Sequence, residues 1–177
     1  MPLLVVAVLA GAGYGLRSHA SDAVEAVRDR IGKAEQVHPA RVRASSSQSG
    51  HPAALVVDGT TDRYWAPAEA GPAAGAFLDL DFAGPVRLLD VVVHPGVSAV
   101  PEQFLTQGRP AELAVTLTDE DGGTTVKTLR VPDEPGPHRF RLGVSDVVRV
   151  RVTVRAAYAA TPPRHLALAE LEFSKRR

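Results

Sequence analysis

"VVRVRVTVR", residues 147–155, sorts its side chains without error at a period of two. Val148, Val150, Val152 and Val154 fall on one side, and Arg149, Arg151, Thr153 and Arg155 on the other. A helix would scatter both sets around its circumference, whereas a strand sends alternate residues to opposite faces. The segment therefore predicts a strand with one dry and one wet face. "FLDLDF" repeats the pattern, with Leu78, Leu80 and Phe82 inward against Asp79 and Asp81, and "ELAVTLT" does so through Leu113, Val115 and Leu117. Between them "DEDGG", residues 119–123, has the chemistry of a hairpin turn joining Leu117 to Val126. Further strands are expected at 41–44, 54–57, 86–94, 125–131, 138–142 and 166–173. Eight or nine short strands with no helices between them point to an all-β jelly-roll β-sandwich over residues 40–177.

At 177 residues the chain suits one domain with an appendage. Lys+Arg and Asp+Glu both number 20, so no net field gathers phosphates, and nucleic acid is not an expected partner. Cysteine is absent, which removes disulfides, thiol nucleophiles and Cys-ligated zinc. Residues 2–16, "PLLVVAVLAGAGYGL", carry no charge but are shorter than the roughly 20 apolar residues of a full span. Residues 1–16 read as part of a transmembrane helix that begins before Met1. A signal peptide would need a basic start that is missing, and a buried core helix is the other reading. Gly11 and Gly15 have the spacing of a membrane-helix contact, a weak match in so glycine-rich a stretch. From 17 to 39, Ala20, Val24, Val27, Ile31 and Ala34 recur at helical steps among charged residues, and Pro39 stops the run. This predicts an amphipathic stalk or linker helix. It either pairs with its own copy, giving a homo-oligomer, or lies along the domain.

"VVDGTTDRYWAP", residues 56–67, holds the only Trp. Asp58-Gly59 suits a tight turn, so Val56 and Val57 read as a strand end, and Trp65 either plugs the core or stacks on a ligand. An early "ASSS", this "VVDG" with Trp65 seven residues after Asp58, "GAFLDLDFAGPVRLLDVVVHPG", the Arg-Pro before "ELAVTL" and a final "LALAELEF" together resemble a discoidin-type, galactose-binding-like domain. Among such domains the likeness is to glycan-binding-type modules at the carboxyl end of bacterial membrane-anchored proteins. It spans about residues 42–173 and lies in the order of the elements. It implies an eight-stranded jelly roll, no catalysis, and recognition of sugar or another surface ligand by loops at one end. It also implies a loop that often wraps a structural calcium, with Asp58 and either Glu170 or Glu172 as the matching carboxylates. Thr60 and Arg63 depart from that pattern, since a guanidinium repels calcium or replaces it by pairing with Asp58. The domain is thus expected to fold without metal. In the domains it resembles the Trp is buried, so Trp65 is expected to plug the core while Tyr64 faces out.

The six histidines show no metal-ligand spacing and no catalytic motif occurs, with Ser49 near His51 a lone proximity in a polar loop. Asp79 with Asp81, and Glu170 with Glu172, share strand faces that are commonly just solvated. Two non-enzymatic classes remain. One is a membrane-anchored, extracytoplasmic module that recognises a cell-envelope glycan. Its candidate contacts are Tyr64, Trp65, His94, Phe104 and Arg109, because rings stack on sugars and guanidinium forks bind hydroxyls. Against these, Phe104 would fill the core and Arg109 would staple a loop. The other class is a protein-docking module of an envelope assembly such as a contractile injection system. Aromatic content of 5% slightly favours it.

Overall fold

The computed structural model describes residues 34–176. Residues 1–16 and 17–33, with the expected apolar helix, the Gly11/Gly15 pair and most of the stalk, lie outside them. Among the described residues no helix is long and apolar enough to cross a membrane.

The described residues form an all-β, antiparallel architecture. Seven strands follow in order: β1 (Ala34–Val37), β2 (Arg41–Ala44), β3 (Phe77–Pro95), β4 (Arg109–Asp119), β5 (Thr124–Arg130), β6 (His138–Tyr158) and β7 (Leu168–Arg176). A 3-10 helix at Ala53–Val57 and a single helical turn, α1 (Pro101–Phe104), interrupt them. Strand order is β1-β7-β3-β6-β4-β5, with β2 also on β3. The central β3 and β6 run through both halves of the sheet. The start of β3 pairs with β2 and the end of β6, while its far end pairs with β7 and the start of β6. Register shifts between Asp81 and Val86, and again before Leu88 and Asp90, bend the pair where the halves meet. Leu78, Leu80, Leu113, Val150 and Val152 of one half share a single buried cluster with Val91, Val93, Leu171 and Phe173 of the other.

Three expectations are corrected by these elements. Residues 34–37 are not the end of a helix, because they add an antiparallel edge strand to β7, with Ala34 opposite Arg176 and Val37 opposite Phe173. Residues 54–57 are not a strand. Pro52 fixes an extended entry, its carbonyl accepts from Leu55 N–H at 3.1 Å, and the following turn drops Val56 fully into the core. The strands expected separately at 77–82 and 86–94, and at 138–142 and 147–155, are continuous, since bulges bend a strand without ending it.

The founding alternation is also broken at one end. Arg149 pairs with Thr118 but Val147 with Asp119, so Val148 is the extra residue of a bulge. Val147 is therefore the buried one and Val148 is half-exposed. Asp146, with φ of 58°, turns the chain into this bulge.

Candidate functional site

The Asp58-Gly59 turn forms as expected. Gly59 has φ of +79°, and Oδ1 of Asp58 accepts from the backbone N–H and the hydroxyl of Thr60 at 2.9 and 2.8 Å. Its Oδ2 lies 2.9 Å from Nη2 of Arg63. The turn leans on β7, where Gly59 N–H donates to Oε1 of Glu170 at 3.3 Å. Glu170 is 2% exposed, its Oε2 has no hydrogen-bond partner, and it is no part of a solvated strand face. Burial, assisted by the negative charges of Asp58 and Glu172, pushes its carboxyl up to about 7.

Trp65 sits where this loop rejoins the sheet. Its backbone exchanges two hydrogen bonds with Leu168, at 2.9 and 3.0 Å, which pins its ring inward. The ring is 1% exposed and its Nε1–H donates to Ser46 O at 3.1 Å. No face is left for a sugar. Tyr64 points elsewhere and is half-buried, stacked on His51 with ring centroids 4.0 Å apart. Burial raises its hydroxyl above the usual phenol range. His51 carries no signal in the sequence that joins it to Tyr64.

Phe104 and Arg109 are likewise inside, and both are removed as ligand contacts. Phe104 is 2% exposed against Gly96, where a Cβ would stand 2.8 Å from the ring, so only glycine fits there. The Arg109 guanidinium carbon lies 5.1 Å from the Phe104 ring centroid, while Nε and Nη2 grip the carboxylate of Asp133 at 2.8 and 2.9 Å and Nη1 donates to Gln107 O. Arg109 thus ties the loop before β4 to the chain leaving β5. The reason is desolvation: a guanidinium 3% exposed needs a bidentate partner inside the protein.

His94 lies in a concave setting. Its Nε2 is 2.7 Å from Oε1 of Glu172, and the pair lines a recess of about 340 Å³ with Val92, Pro137 and Arg139. Val92 pairs with both Arg139 and Glu172 across adjacent strands, which is why these side chains converge. The sequence pointed to His94 and Glu172 for different roles; Arg139 was not singled out, since only β3–β6 register brings it there.

Solved structures share this architecture. An F5/8 type C domain from Bacteroides fragilis superposes with a TM-score of 0.65 at 16% identity, covering 82% of this chain and 99% of that one. The chain has a discoidin-type, galactose-binding-like fold. The family 32 carbohydrate-binding module of NanJ from C. perfringens, in complex with galactose, gives 0.63 at 10% identity, covering 80% and 99%. A Clostridium perfringens module of the same family, in complex with GlcNAc-α-1,4-galactose, gives 0.60 at 17%, covering 81% and 97%. No protein-family model matches the sequence, and neither does any curated protein.

For a discoidin-type domain the remaining question is the metal. Calcium needs about six to eight oxygens free to turn toward it. Here Asp58 spends Oδ1 on Thr60 and Oδ2 on Arg63, Glu170 spends Oε1 on Gly59, and Glu172 belongs to the His94 recess. Among the described residues no group of three or more His, Cys, Asp or Glu could hold a metal ion. Asp58 and Glu172 are thus engaged with other groups, the guanidinium of Arg63 supplies the positive charge beside Asp58, and Oε2 of Glu170 is the carboxylate oxygen left without a partner among the described residues. Melting the full chain with chelator and with excess calcium is expected to give the same midpoint, because a ligand that does not bind the native state cannot stabilise it. A rise of many degrees in calcium would restore the metal site.

Proposed function

We propose that this chain is a non-catalytic, jelly-roll binding module, anchored in the cell membrane by a single pass and facing away from the cytoplasm, that recognises a cell-envelope glycan or a similar surface ligand. The observation that carries the reading is the His94 recess. His94, Glu172 and Arg139 line it together with the apolar Val92 and Pro137, and Nη1 of Arg139 also lies 3.5 Å from Oδ2 of Asp90. A few convergent polar groups over an apolar surface match a sugar ring, whose hydroxyls need donors and acceptors while its C–H face needs apolar contact. Structural neighbours with this fold bind glycans. Anchoring rests on the uncharged run at 2–16.

A glycan array probed with the full chain tests this. Retention of a defined glycan subset is expected, lost in His94→Ala. Tyr64→Ala is expected to alter the subset only if the His51–Tyr64 stack extends the site. Absence of any retained glycan would sink the reading.

One observation favours protein docking as the second reading. Val100 and Leu105, at either end of α1, are 47% and 57% exposed. An array with no retained glycan would favour it.

A further inference from the structure

A different surface carries a pattern that neither the recess nor the turn uses. Where β2, β3, β6, β4 and β5 face away from the core, register aligns Arg43, Asp79, Arg151, Thr116 and Val126 in one row across the strands. Arg41, Asp81, Arg149, Thr118 and Thr124 form the next. With neighbouring strands ~4.8 Å apart, each row is ~19 Å wide.

Both carboxylates in these rows are saturated. Arg151 grips Asp79 with Nε and Nη2, each at 2.7 Å, and holds its carboxyl below the usual range. Asp81 accepts from Arg149 Nε at 2.6 Å and from Arg43 Nη2 at 3.1 Å. Arg41, and Arg155 farther along β6, are exposed and have no ion-pair partner among the described residues. At the far end Glu112 is matched across the strands by Arg130. Five guanidinium groups thus face two aspartates on this surface, in a chain of zero formal net charge.

Strand cohesion alone does not call for that excess. An Arg-Asp pair across strands suffices for register, and further like charges on one face repel unless an anion lies between them. The Arg43, Arg149 and Arg151 side chains are 53%, 51% and 47% exposed, so their remaining N–H groups reach solvent. Beside them Phe77 lies under the Arg151 guanidinium, 4.1 Å from the ring centroid, and Thr116, Thr118 and Thr153 supply hydroxyls.

We infer that this sheet face is a second binding surface, for an anionic polysaccharide chain. Carboxylate or sulfate groups would take the surplus guanidinium N–H donors, and the threonines would hydrogen-bond sugar hydroxyls. From Arg149 to Arg155 the stripe runs ~20 Å along the strand, which suits a linear polymer better than a single anion. An anionic membrane fits less well, since Val126 is the large apolar side chain exposed on these rows, with no aromatic or aliphatic set to enter lipid.

Binding of the full chain to immobilised polygalacturonate and dextran sulfate, with neutral dextran as control, tests the inference. Both polyanions are expected to bind, neutral dextran not, and the affinity is expected to fall as salt rises. The double change Arg41→Glu with Arg155→Glu is expected to weaken binding about tenfold or more. Arg41→Gln, which breaks no ion pair among the described residues, repeats the comparison without charge reversal and is expected to weaken binding in the same direction. His94→Ala should leave polyanion binding intact, which separates this surface from the recess. Unchanged affinity in the Arg41 and Arg155 variants, failure to bind either polyanion, or a preference for phosphatidylglycerol vesicles over both would overturn it.

Discussion

Trp65→Ala is expected to cost about 3 to 5 kcal/mol, a large share of the roughly 5 to 15 kcal/mol that holds an ordinary domain together. The size follows from where the ring is. It is 1% exposed, in one cluster with Val56, Leu166 and Leu168, on a backbone already tied to Leu168 by two hydrogen bonds. The segment cannot slide inward to fill the void, so the cavity persists. Removing Nε1–H also leaves Ser46 O without its donor. Trp65→Phe keeps much of the buried volume while losing the hydrogen bond, and it is expected to cost less. Denaturant unfolding would show a lower midpoint with an unchanged slope. A Trp65→Ala protein as stable as wild type, with glycan binding lost, would return the ring to the ligand.

What the sequence made legible was whatever depends on local order. The period of two at 149–155, the Asp119–Gly123 turn and the Asp58-Gly59 turn each appear in the structure because neighbouring residues alone decide them. Leu117 and Thr118 meet Thr125 and Thr124 across that hairpin, close to the expected pairing. Where the reading failed, a long-range partner had the deciding vote. Ala34 and Val37 fit the helical spacing, yet the free edge of β7 takes them as a strand. Val56 and Val57 are β-branched, yet the loop above β7 needs a tight turn that buries Val56 and leaves Val57 partly out.

The candidate site was harder for the same reason. Arg109 reads either as a hydroxyl-binding fork or as a loop staple, and the choice between them depends on Asp133, which stands 24 residues away. Glu170 and Glu172 share a strand face and would be expected to behave alike. The Asp58-Gly59 turn covers one, whereas the other opens onto the His94 recess.

That difference gives Glu170 a titration with a determined sign. Its carboxyl is pushed from 4.5 up to about 7 in the folded chain, so the folded state holds this proton more tightly than the unfolded one. The stabilisation is complete below about pH 4.5. It shrinks as pH rises, because the unfolded chain gives up its proton first, and it is lost once pH passes about 7. A difference of about 2.5 pK corresponds to about 3 kcal/mol. Asp79 acts in the opposite sense and a different window: Arg151 lowers its carboxyl from 3.8, so its contribution is lost only in stronger acid. Other groups also contribute to the wild-type curve, which alone would not isolate Glu170. Glu170→Gln does, because it keeps an acceptor for Gly59 N–H and carries no charge at any pH. From about pH 4.5 to 7.5 the wild type is expected to lose about 3 kcal/mol relative to this variant in urea unfolding, ending less stable than it. Parallel curves across that range would show that Glu170 is ionised throughout, and that a counter-charge beside Oε2 compensates its burial.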